Sequence, residues 1–289
     1  MSQRPRFGPA GVPPAFRLLK AATEDVPRLL REEGLDAFEY EAVHWGRKPQ
    51  IRKEEAEKLG LEAERNDVWL SMHGSYFINF CGKESIVEAS KQRLIACAIA
   101  AEWMKAHVVV FHPGVYGRMP REEAVRMCSA AMRDVVEKLD GLGVKNIKLG
   151  PETMGRMHQL GTLDEVIEMC RMVGRTQLVI DWSHLHARGL GRLRRIDDVR
   201  KVVEDVENRL GIEAAKTMHC HFTKIEFTDK GERRHHTLDE LRYGPDFRLL
   251  ASVIVEFDLK PTIISESPIL DVDALRMRDI LREEQGNAH

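Results

Sequence analysis

Histidine and carboxylate side chains recur along this chain directly after short apolar segments, and these residue types bind metal ions. Six successive segments end in this way, and the side chains concerned are His73, His112, Glu152, Asp181, His184, His219, His221 and Glu266. A single residue of this kind is usually structural and hydrogen-bonded. Packing alone gives no reason to collect so many ionisable groups, because burying like charges together is costly. Divalent cations would supply that reason, since mixed nitrogen and oxygen ligands suit zinc, with manganese or iron as alternatives. The histidines exceed what one tetrahedral ion needs, so we predict more than one metal ion.

The elements that must position these residues are short strands separated by longer amphipathic stretches. We predict eight strands, at 7–8 with its flanks, 37–43, 68–72, 108–111, 147–149, 177–180, 217–221 and 262–265. The clearest helices are predicted over 88–105, 122–139 and 162–173. This alternation favours a (β/α)8 TIM barrel over an open doubly wound sheet, and in a barrel the carboxyl ends of the strands meet around one axis. Because no linker divides the chain, we predict a single α/β domain over residues 1–289, with strand 1 near 7–11 and strand 8 near 262–266.

The composition narrows the class of protein further. The 289 residues are 43% hydrophobic and 31% charged with a formal net charge of −2, which is typical of a soluble globular protein. Near-neutral charge excludes nucleic-acid binding through bulk positive charge but allows a local basic patch. Five cysteines without a close pair predict neither a disulfide framework nor a cysteine zinc finger. No apolar segment approaches the roughly 20 residues of a membrane span, and no signal core is present. We therefore expect a cytoplasmic protein without a membrane partner.

Five strings resemble the successive motifs of the endonuclease IV family. They are HGSYFIN (73–79), FHPG (111–114), PETMG (151–155), IDWSHLHARG (180–189) and SESP (265–268). The match runs in order from Phe7 to Pro268, and the His-Pro-Gly and Asp-x-x-His motifs are fairly specific in that order. Enzymes of this family are TIM barrels with a trinuclear zinc site, and they cut DNA 5′ to abasic sites during base-excision repair. The resemblance implies a hydrolase of the endodeoxyribonuclease type that acts on double-stranded DNA with abasic sites, and we expect a monomer.

The resemblance also implies a set of metal ligands, carried over position by position. They are His73, His112 and Glu152 for a first zinc, Glu152, Asp181, His219 and Glu266 for a second, and His184 and His235 for a third. Glu152 would bridge the first two ions, which a carboxylate can do when two cations lie about 3.5–4 Å apart. Glu152 and Glu266 are the predicted catalytic residues, because either could hold or deprotonate the attacking water.

One position departs from the family pattern at the third zinc. The family places an Asp two residues before its His, and this chain has Arg233 there, in the string 233–236. A guanidinium offers no lone pair to a metal. Either another group, such as Glu232, Asp229 or His221, replaces the Asp, or the third ion is held weakly by His184, His235 and solvent. We expect the second outcome, with two zinc ions bound tightly and a third weakly.

Residues for DNA contact are predicted on the same face. Tyr76 and Phe77 match loop residues that in the family push into the DNA stack, although packing at the barrel rim would also explain them. Phosphate contacts are predicted for Arg188 above all, and for the other basic residues of the rim, Arg47, Lys48, Arg192, Arg194 and Arg195.

Two other functions compete with the nuclease. A sugar isomerase or epimerase of the xylose isomerase-like superfamily binds one metal ion, and a single set of ligands matches that requirement: Glu152, Asp181, His219 and Glu266. Two glutamates could then shuttle a proton on a substrate carbon. The additional histidines argue against this reaction, because a one-metal enzyme has no use for them. A non-catalytic nucleic-acid-binding barrel ranks third, since it would not need Glu152 and Glu266 together.

Overall fold

The strands of the protein close into the (β/α)8 barrel that the sequence predicts. The computed structural model describes residues 3–287. Its strands are β1 (Arg6–Pro9), β2 (Ala37–Glu41), β3 (Trp69–His73), β4 (Val108–Phe111), β5 (Lys148–Pro151), β6 (Val179–Asp181), β7 (His219–Phe222), β8 (Lys224–Thr228), β9 (Gly231–His236) and β10 (Thr262–Ser265). Two parallel four-stranded sheets form the wall, in the orders β2-β3-β4-β5 and β1-β10-β7-β6. Bridges between Ala10 and Glu39 and between Glu152 and Val179 join the edges of the sheets.

Helices cover the outside of the wall and follow the strands in alternation. They are α1 (Pro14–Leu18), α2 (Val26–Glu33), α3 (Lys53–Arg65), α4 (Glu84–Trp103), α5 (Arg121–Gly141), α6 (Leu163–Met172), α7 (Trp182–Arg188), α8 (Ile196–Leu210), α9 (Ile212–Lys216), α10 (Phe247–Glu256) and α11 (Asp271–Asn287), with a short 3-10 turn at Thr23–Asp25. The three helices predicted most clearly correspond to α4, α5 and α6. Within residues 3–287, no helix combines the length and apolar character needed to cross a membrane.

The barrel wall is buried on both faces, which explains why its strands read as apolar runs in the sequence. All of β4, for example, is inaccessible to solvent, because helices cover it outside and side chains fill the barrel inside. The interior becomes polar toward the carboxyl ends of the strands. The register of β2 on β3 sets Glu41 beside His73, and the register of β6 on β7 sets Asp181 beside His221. These pairs mark the level at which the ionisable side chains converge.

A β-hairpin interrupts the alternation after β7, and the sequence did not predict it. Strands β8 and β9 pair in antiparallel fashion, and a bridge between Arg156 and Gly231 holds the hairpin against the loop that follows β5. Close approach requires glycine on both sides of this contact. A Cβ on Gly155 would lie 2.7 Å from the Glu232 Cβ, and a Cβ on Gly231 would lie 2.2 Å from the Gly155 carbonyl oxygen. The hairpin therefore extends one wall of the site at the carboxyl end of the barrel.

Candidate metal centre

The first group of donors lies where β3, β4 and β5 end. His73, His112 and Glu152 present one ligand atom each within 4.8 Å of one another. The Oε2 atom of Glu152 is 3.1 Å from His112 Nε2 and 3.5 Å from His73 Nε2. Glu152 is fully buried and His73 almost so, which makes this a pocket of the barrel interior and not a surface cluster. The three residues are those that the sequence predicted for a first metal ion.

The second group uses the other oxygen of Glu152. Glu152, Asp181, His221 and Glu266 also bring their donor atoms within 4.8 Å of one another. His221 Nδ1 lies 3.1 Å from Glu152 Oε1 and 3.3 Å from Glu266 Oε1. Because Glu152 turns one oxygen to each group, its carboxylate is placed to bridge two cations.

His221 occupies the position in this second group that the sequence analysis gave to His219. Strand β7 points both histidines inward, since they are two residues apart. The register with β6 places His221 beside Asp181, whereas His219 pairs with Val179, one layer deeper in the barrel. The predicted assignment of His219 therefore needs correction: its Nε2 atom is 2.9 Å from Glu39, among donors that do not include Glu152 or Asp181. Register decides between the two histidines, and the sequence pattern alone does not reveal register.

The third group includes a carboxylate that the sequence analysis named only as one of several substitutes. His184, Glu232 and His235 present donor atoms within 4.8 Å, and Glu232 Oε2 lies 3.4 Å from His184 Nε2. Residues 232 and 235 would face opposite sides of a regular strand. Arg233 is left out of the register of β9 with β8, so it forms a β-bulge that returns Glu232 and His235 to the same side.

Arg233 itself points away from the third group. Its side chain is 65% exposed and its guanidinium pairs with Glu226 at 2.7 Å. The prediction of a third site without an anionic ligand therefore does not describe this structure, because Glu232 supplies a carboxylate. The sequence signal was present but shifted by one residue, as a Glu three positions before the His instead of an Asp two positions before it.

Several histidines of the centre have one nitrogen committed to the backbone and the other directed at the donor groups. The Nδ1 atoms of His73, His184 and His235 lie 3.0, 2.9 and 3.2 Å from the carbonyl oxygens of Gly74, Thr153 and Glu266. A carbonyl only accepts hydrogen bonds, so Nδ1 carries a proton, and in the neutral ring Nε2 has the lone pair.

Buried polar atoms without a hydrogen-bond partner converge at this centre. Within residues 3–287, the Nε2 atoms of His73 and His235 are of this kind, as are Glu152 Oε2 and Asp181 Oδ2. Leaving such atoms unsatisfied is costly, and buried polar groups in proteins are normally paired. Lone pairs that converge in this way fit divalent cations.

The electrostatics of the centre follow from burying carboxylates among imidazoles. Burial alone would raise the pKa of Glu152, but His221 and His112 hold it well below the usual carboxyl range. Burial raises the pKa of Asp181 to about 6, and the anionic Glu266 adds to the effect. The surrounding carboxylates raise the pKa of His221 well above its ordinary value, although burial opposes them. Cations that bind here must displace protons from imidazoles, so metal affinity is expected to fall at low pH.

An open cleft of about 330 Å³ leads from solvent to the donor groups. Its walls include Tyr76, His112, Met154, Arg156, Gln159, His184, Glu232, His235 and Glu266. Tyr76 stacks on His112 with ring centroids 5.2 Å apart, yet remains 49% exposed, and Phe77 beside it is 57% exposed. Tyr76 therefore stands exposed at the mouth of the cleft, and Phe77 is its exposed neighbour in the chain.

Two of the arginines predicted to contact phosphates, Arg188 and Arg194, form hydrogen bonds within the protein. The guanidinium of Arg188 donates hydrogen bonds to the carbonyl oxygens of Arg156 at 2.8 Å and Gln159 at 2.9 Å, so it ties down the loop after β5. It does not line the cleft. Arg194 donates to the Gly191 carbonyl. Arg47 and Lys48 are exposed in the loop that follows β2.

An eight-stranded parallel barrel with side chains that could hold metal ions at the carboxyl ends of its strands defines the class as a TIM barrel with a candidate metal centre. The sequence profile of the xylose isomerase-like TIM barrel family matches residues 27–284, and the chain belongs to that family. This superfamily consists of enzymes. An uncharacterized protein of Methanocaldococcus jannaschii is 33% identical over 96% of this chain and 97% of its own length.

Named relatives divide between two chemistries. A probable endonuclease 4 of Persephonella marina is 22% identical over 71% of this chain and 74% of its own length, which confirms the resemblance seen in the motifs. The crystal structure of endonuclease IV from Thermus thermophilus superposes with a TM-score of 0.70 at 19% identity, covering 90% of this chain and 94% of that one. A D-tagatose 3-epimerase-like protein reaches a TM-score of 0.66, also at 19% identity, covering 91% and 92%. At such identities the superpositions show a shared fold, and the site has to distinguish the reactions.

Proposed function

We propose that the protein is a metal-dependent endonuclease that cleaves the DNA backbone 5′ to abasic sites, as part of base-excision repair. The observation that supports this most is the third donor group of His184, Glu232 and His235, which adjoins the two groups sharing Glu152. A reaction that uses several ions needs such an array. An isomerase that uses one ion does not.

Zinc is the metal we propose for all three groups, because mixed imidazole and carboxylate donors suit it, and manganese or iron are the alternatives. When bound, such ions lower the pKa of a water molecule and stabilise negative charge on the leaving oxygen of a phosphodiester. With Glu232 in place, the third group has an anionic ligand as the other two have. We therefore propose three ions of comparable occupancy.

The two predicted catalytic glutamates have different surroundings, which suggests different tasks. Glu152 is fully buried and contacts donors of two groups, so its task is to hold the centre together. Glu266 has a side chain that is 14% exposed and lines the cleft. Its carboxylate can reach a water molecule that enters from solvent and accept the proton that the water loses on attack. Glu266 is therefore the general base we propose.

Binding of an abasic site requires the damaged nucleotide to leave the helix, which is easiest where no base is stacked. Tyr76 stands at the mouth of the cleft and Phe77 is exposed next to it in the chain, and exposed aromatic rings of this kind can fill the gap left in the stack. His44 packs against both rings, at 6.3 and 6.5 Å between centroids, and supports them from the loop after β2. Arg47 and Lys48 extend the same rim with positive charge.

An epimerase of small sugars is the second candidate. Glu152, Asp181, His221 and Glu266 alone form a complete set for one ion, and two glutamates can exchange a proton with a substrate carbon. The structural similarity to a D-tagatose 3-epimerase-like protein supports this reading. It leaves His73, the third group and the exposed aromatic rings without a task, so we rank it second.

One assay separates the two functions. Metal-replete protein is incubated with a duplex carrying a single abasic analogue and, as a control, with the same duplex containing an intact base. We expect incision only at the 5′ side of the analogue, loss of incision on strong chelation, and recovery when zinc is added. If the abasic duplex stays intact while a ketose is converted to its C3 epimer, the nuclease proposal fails and the epimerase takes its place.

A further inference from the structure

A second layer of ionisable side chains lies beneath the candidate metal centre. Glu39 on β2 and His219 on β7 point into the barrel one layer below Glu41 and His221, and Glu39 and His219 are almost completely buried. Neither borders the cleft. A buried carboxylate away from solvent and substrate is costly unless its hydrogen bonds are satisfied, so its partners indicate its task.

The partners of Glu39 are one serine and two histidines. Its Oε2 atom accepts from the Ser71 hydroxyl at 2.7 Å and lies 2.9 Å from His219 Nε2. Its Oε1 atom lies 2.9 Å from His221 Nε2. The carboxylate therefore connects the lower layer directly to a member of the second donor group.

His221 is the link between the layers because its two nitrogens face opposite ways. Nε2 forms an ion pair with Glu39 at 2.9 Å, while Nδ1 is hydrogen-bonded to Glu152 Oε1 at 3.1 Å and lies 3.3 Å from Glu266 Oε1. His73, His184 and His235 instead commit Nδ1 to backbone carbonyls and turn Nε2 toward the donors. His221 differs from them in both respects: a carboxylate orients it, and it turns Nδ1 toward the donors.

We infer that Glu39 is a positioning residue for the metal centre: its ion pair with His221 Nε2 keeps a proton on that nitrogen, so that Nδ1 is the nitrogen that would exchange its proton for an ion shared with Glu152. Ser71 and His219 in turn fix Glu39. A carboxylate behind a ligating histidine orients the ring and makes the ligand more basic. The inference rests on the proposed metal centre, but it adds Glu39 and Ser71, which lie outside the five motif strings of this sequence.

The same three donors could instead hold an additional ion, since Glu39, His219 and His221 lie within 4.8 Å of one another. The distances favour protons over a metal ion between these donors. Each imidazole Nε2 lies 2.9 Å from a single carboxylate oxygen, which is the length of an N–H···O bond. The contact to His221 is less well aligned than the one to His219, so it is an ion pair more than an ideal hydrogen bond. An ion on Nε2 as well as one on Nδ1 would require His221 to lose both its protons. The metal content of the protein distinguishes the two arrangements.

The test compares Glu39→Gln with Ser71→Ala in the full-length protein. Gln keeps the volume of Glu39 but removes its charge, whereas Ser71→Ala removes a contact to the same carboxylate and leaves His221 in place. Metal retention is measured for zinc during titration with a graded chelator, and the melting temperature is measured without metal. We expect Glu39→Gln to lower zinc affinity at one site by about 10- to 100-fold, and Ser71→Ala to change it much less.

Three results would overturn the inference. Equal zinc affinity in Glu39→Gln and the wild type, with both variants melting earlier, would reduce Glu39 to a structural residue. An additional zinc ion per chain that disappears in His219→Ala would mean that the lower layer binds metal.

If Glu39→Gln does not fold, the wild type decides by itself. Histidine 15N NMR of the zinc-loaded protein must then show His221 protonated on Nε2, with His221→Asn used to assign the signals, and a signal for His221 without that proton is the third overturning result. A wild-type protein that retains no divalent ion would refute the proposed function and not this inference alone.

Discussion

At the scale of single residues, the centre is defined by which atoms have no partner. Backbone carbonyl oxygens accept hydrogen bonds from the Nδ1 atoms of His73, His184 and His235, and these contacts turn Nε2 toward the cavity. These hydrogen bonds cost little free energy when the protein folds, because each buried carbonyl oxygen would otherwise need another donor. The same contacts fix the rings before any ion arrives, so little rearrangement is required on binding.

Substitution of Glu152 tests this arrangement most directly, because each of its two carboxylate oxygens faces a different donor group. Glu152→Gln keeps the shape of the side chain but removes the charge shared by two donor groups. We expect incision of abasic duplex to fall by about 100-fold or more, with loss of at least one zinc ion per chain and little change in far-UV circular dichroism. Glu226→Gln, the same change on the hairpin outside the donor groups, is the matched control. Near wild-type turnover in Glu152→Gln would mean that the bridging carboxylate has been misassigned.

Glu41 gives a prediction about pH. One of its carboxylate oxygens is buried and has no hydrogen-bond partner within the described part of the chain. Burial, with the nearby charge of Glu39, raises the pKa of Glu41 to about 8 from an ordinary 4.5. The folded protein therefore keeps a proton that the unfolded chain releases between those two values. The free energy of unfolding of the metal-free protein falls accordingly as pH rises through this window.

Glu41→Gln removes this loss because the amide does not ionise. We expect its free energy of unfolding, measured by chemical denaturation without metal, to exceed that of the wild type by more at about pH 8 than at about pH 5. The comparison at two pH values cancels the other titrating groups. An advantage of the same size at both values would show that Glu41 ionises normally in the folded protein.

At the scale of elements, the β8–β9 hairpin decides whether the third donor group is complete. Its bulge at Arg233 allows Glu232 and His235 to face the same side, and Gly155 leaves room for the hairpin to approach. The family places its carboxylate two residues before the His, whereas Glu232 is three residues before His235. The bulge compensates for this one additional residue.

The hairpin provides matched variants at neighbouring positions. Glu232→Gln removes the carboxylate of the third group, whereas Arg233→Ala removes an exposed side chain from the bulge and leaves the group intact. We expect wild type and Arg233→Ala to retain three zinc ions over the same range of chelator, and Glu232→Gln to release one of them at about 10- to 100-fold lower chelator concentration. If the wild type released one ion early, and Glu232→Gln released it at the same chelator concentration, the third site would be weak, as the sequence analysis expected.

The elements also show what the sequence can and cannot predict. The eight strands of the barrel and the three clearest helices were predicted correctly, because buried parallel strands leave apolar runs and covering helices leave periodic ones. The level of a side chain inside the barrel depends on register with neighbouring strands, so the sequence did not distinguish His221 from His219. The hairpin was missed because β9 is GERRHH, with no apolar alternation to mark it as a strand. A position on a bulge also breaks the spacing that a motif search relies on.

At the scale of the whole molecule, the proposed recognition of DNA has to come from a small area. The net charge is −2, so no general attraction to a polyanion assists binding. The candidates for contact are local: the ring of Tyr76 in the cleft, the exposed ring of Phe77 next to it in the chain, and the exposed Arg47 and Lys48 on the loop after β2. Affinity for DNA should therefore be modest, sensitive to salt, and dependent on the aromatic pair.

Phe77 tests this dependence more cleanly than Tyr76 does. Tyr76 stacks on His112, so Tyr76→Ala disturbs a proposed ligand as well as the rim, whereas Phe77 is 57% exposed and contacts His44 and Arg93 instead. A side chain that only supports bent DNA contributes to binding and little to the chemical step. We expect Phe77→Ala to raise the dissociation constant for abasic duplex by about 10-fold, the value of one good stacking contact, and to leave the single-turnover rate at saturating DNA nearly unchanged.

Leu142→Ala is the matched control for that measurement. Leu142 is also a large exposed apolar residue, at 51% exposure, but it follows α5 and leads toward the start of β5, at the opposite end of the barrel from the cleft. Its loss should leave the dissociation constant unchanged, since DNA engaged at the carboxyl ends of the strands does not reach it. If Phe77→Ala and Leu142→Ala bind abasic duplex equally well, the two aromatic side chains only pack at the rim of the barrel and do not contact DNA. DNA would then have to be recognised by other residues, and the case for a smaller substrate such as a sugar would gain accordingly.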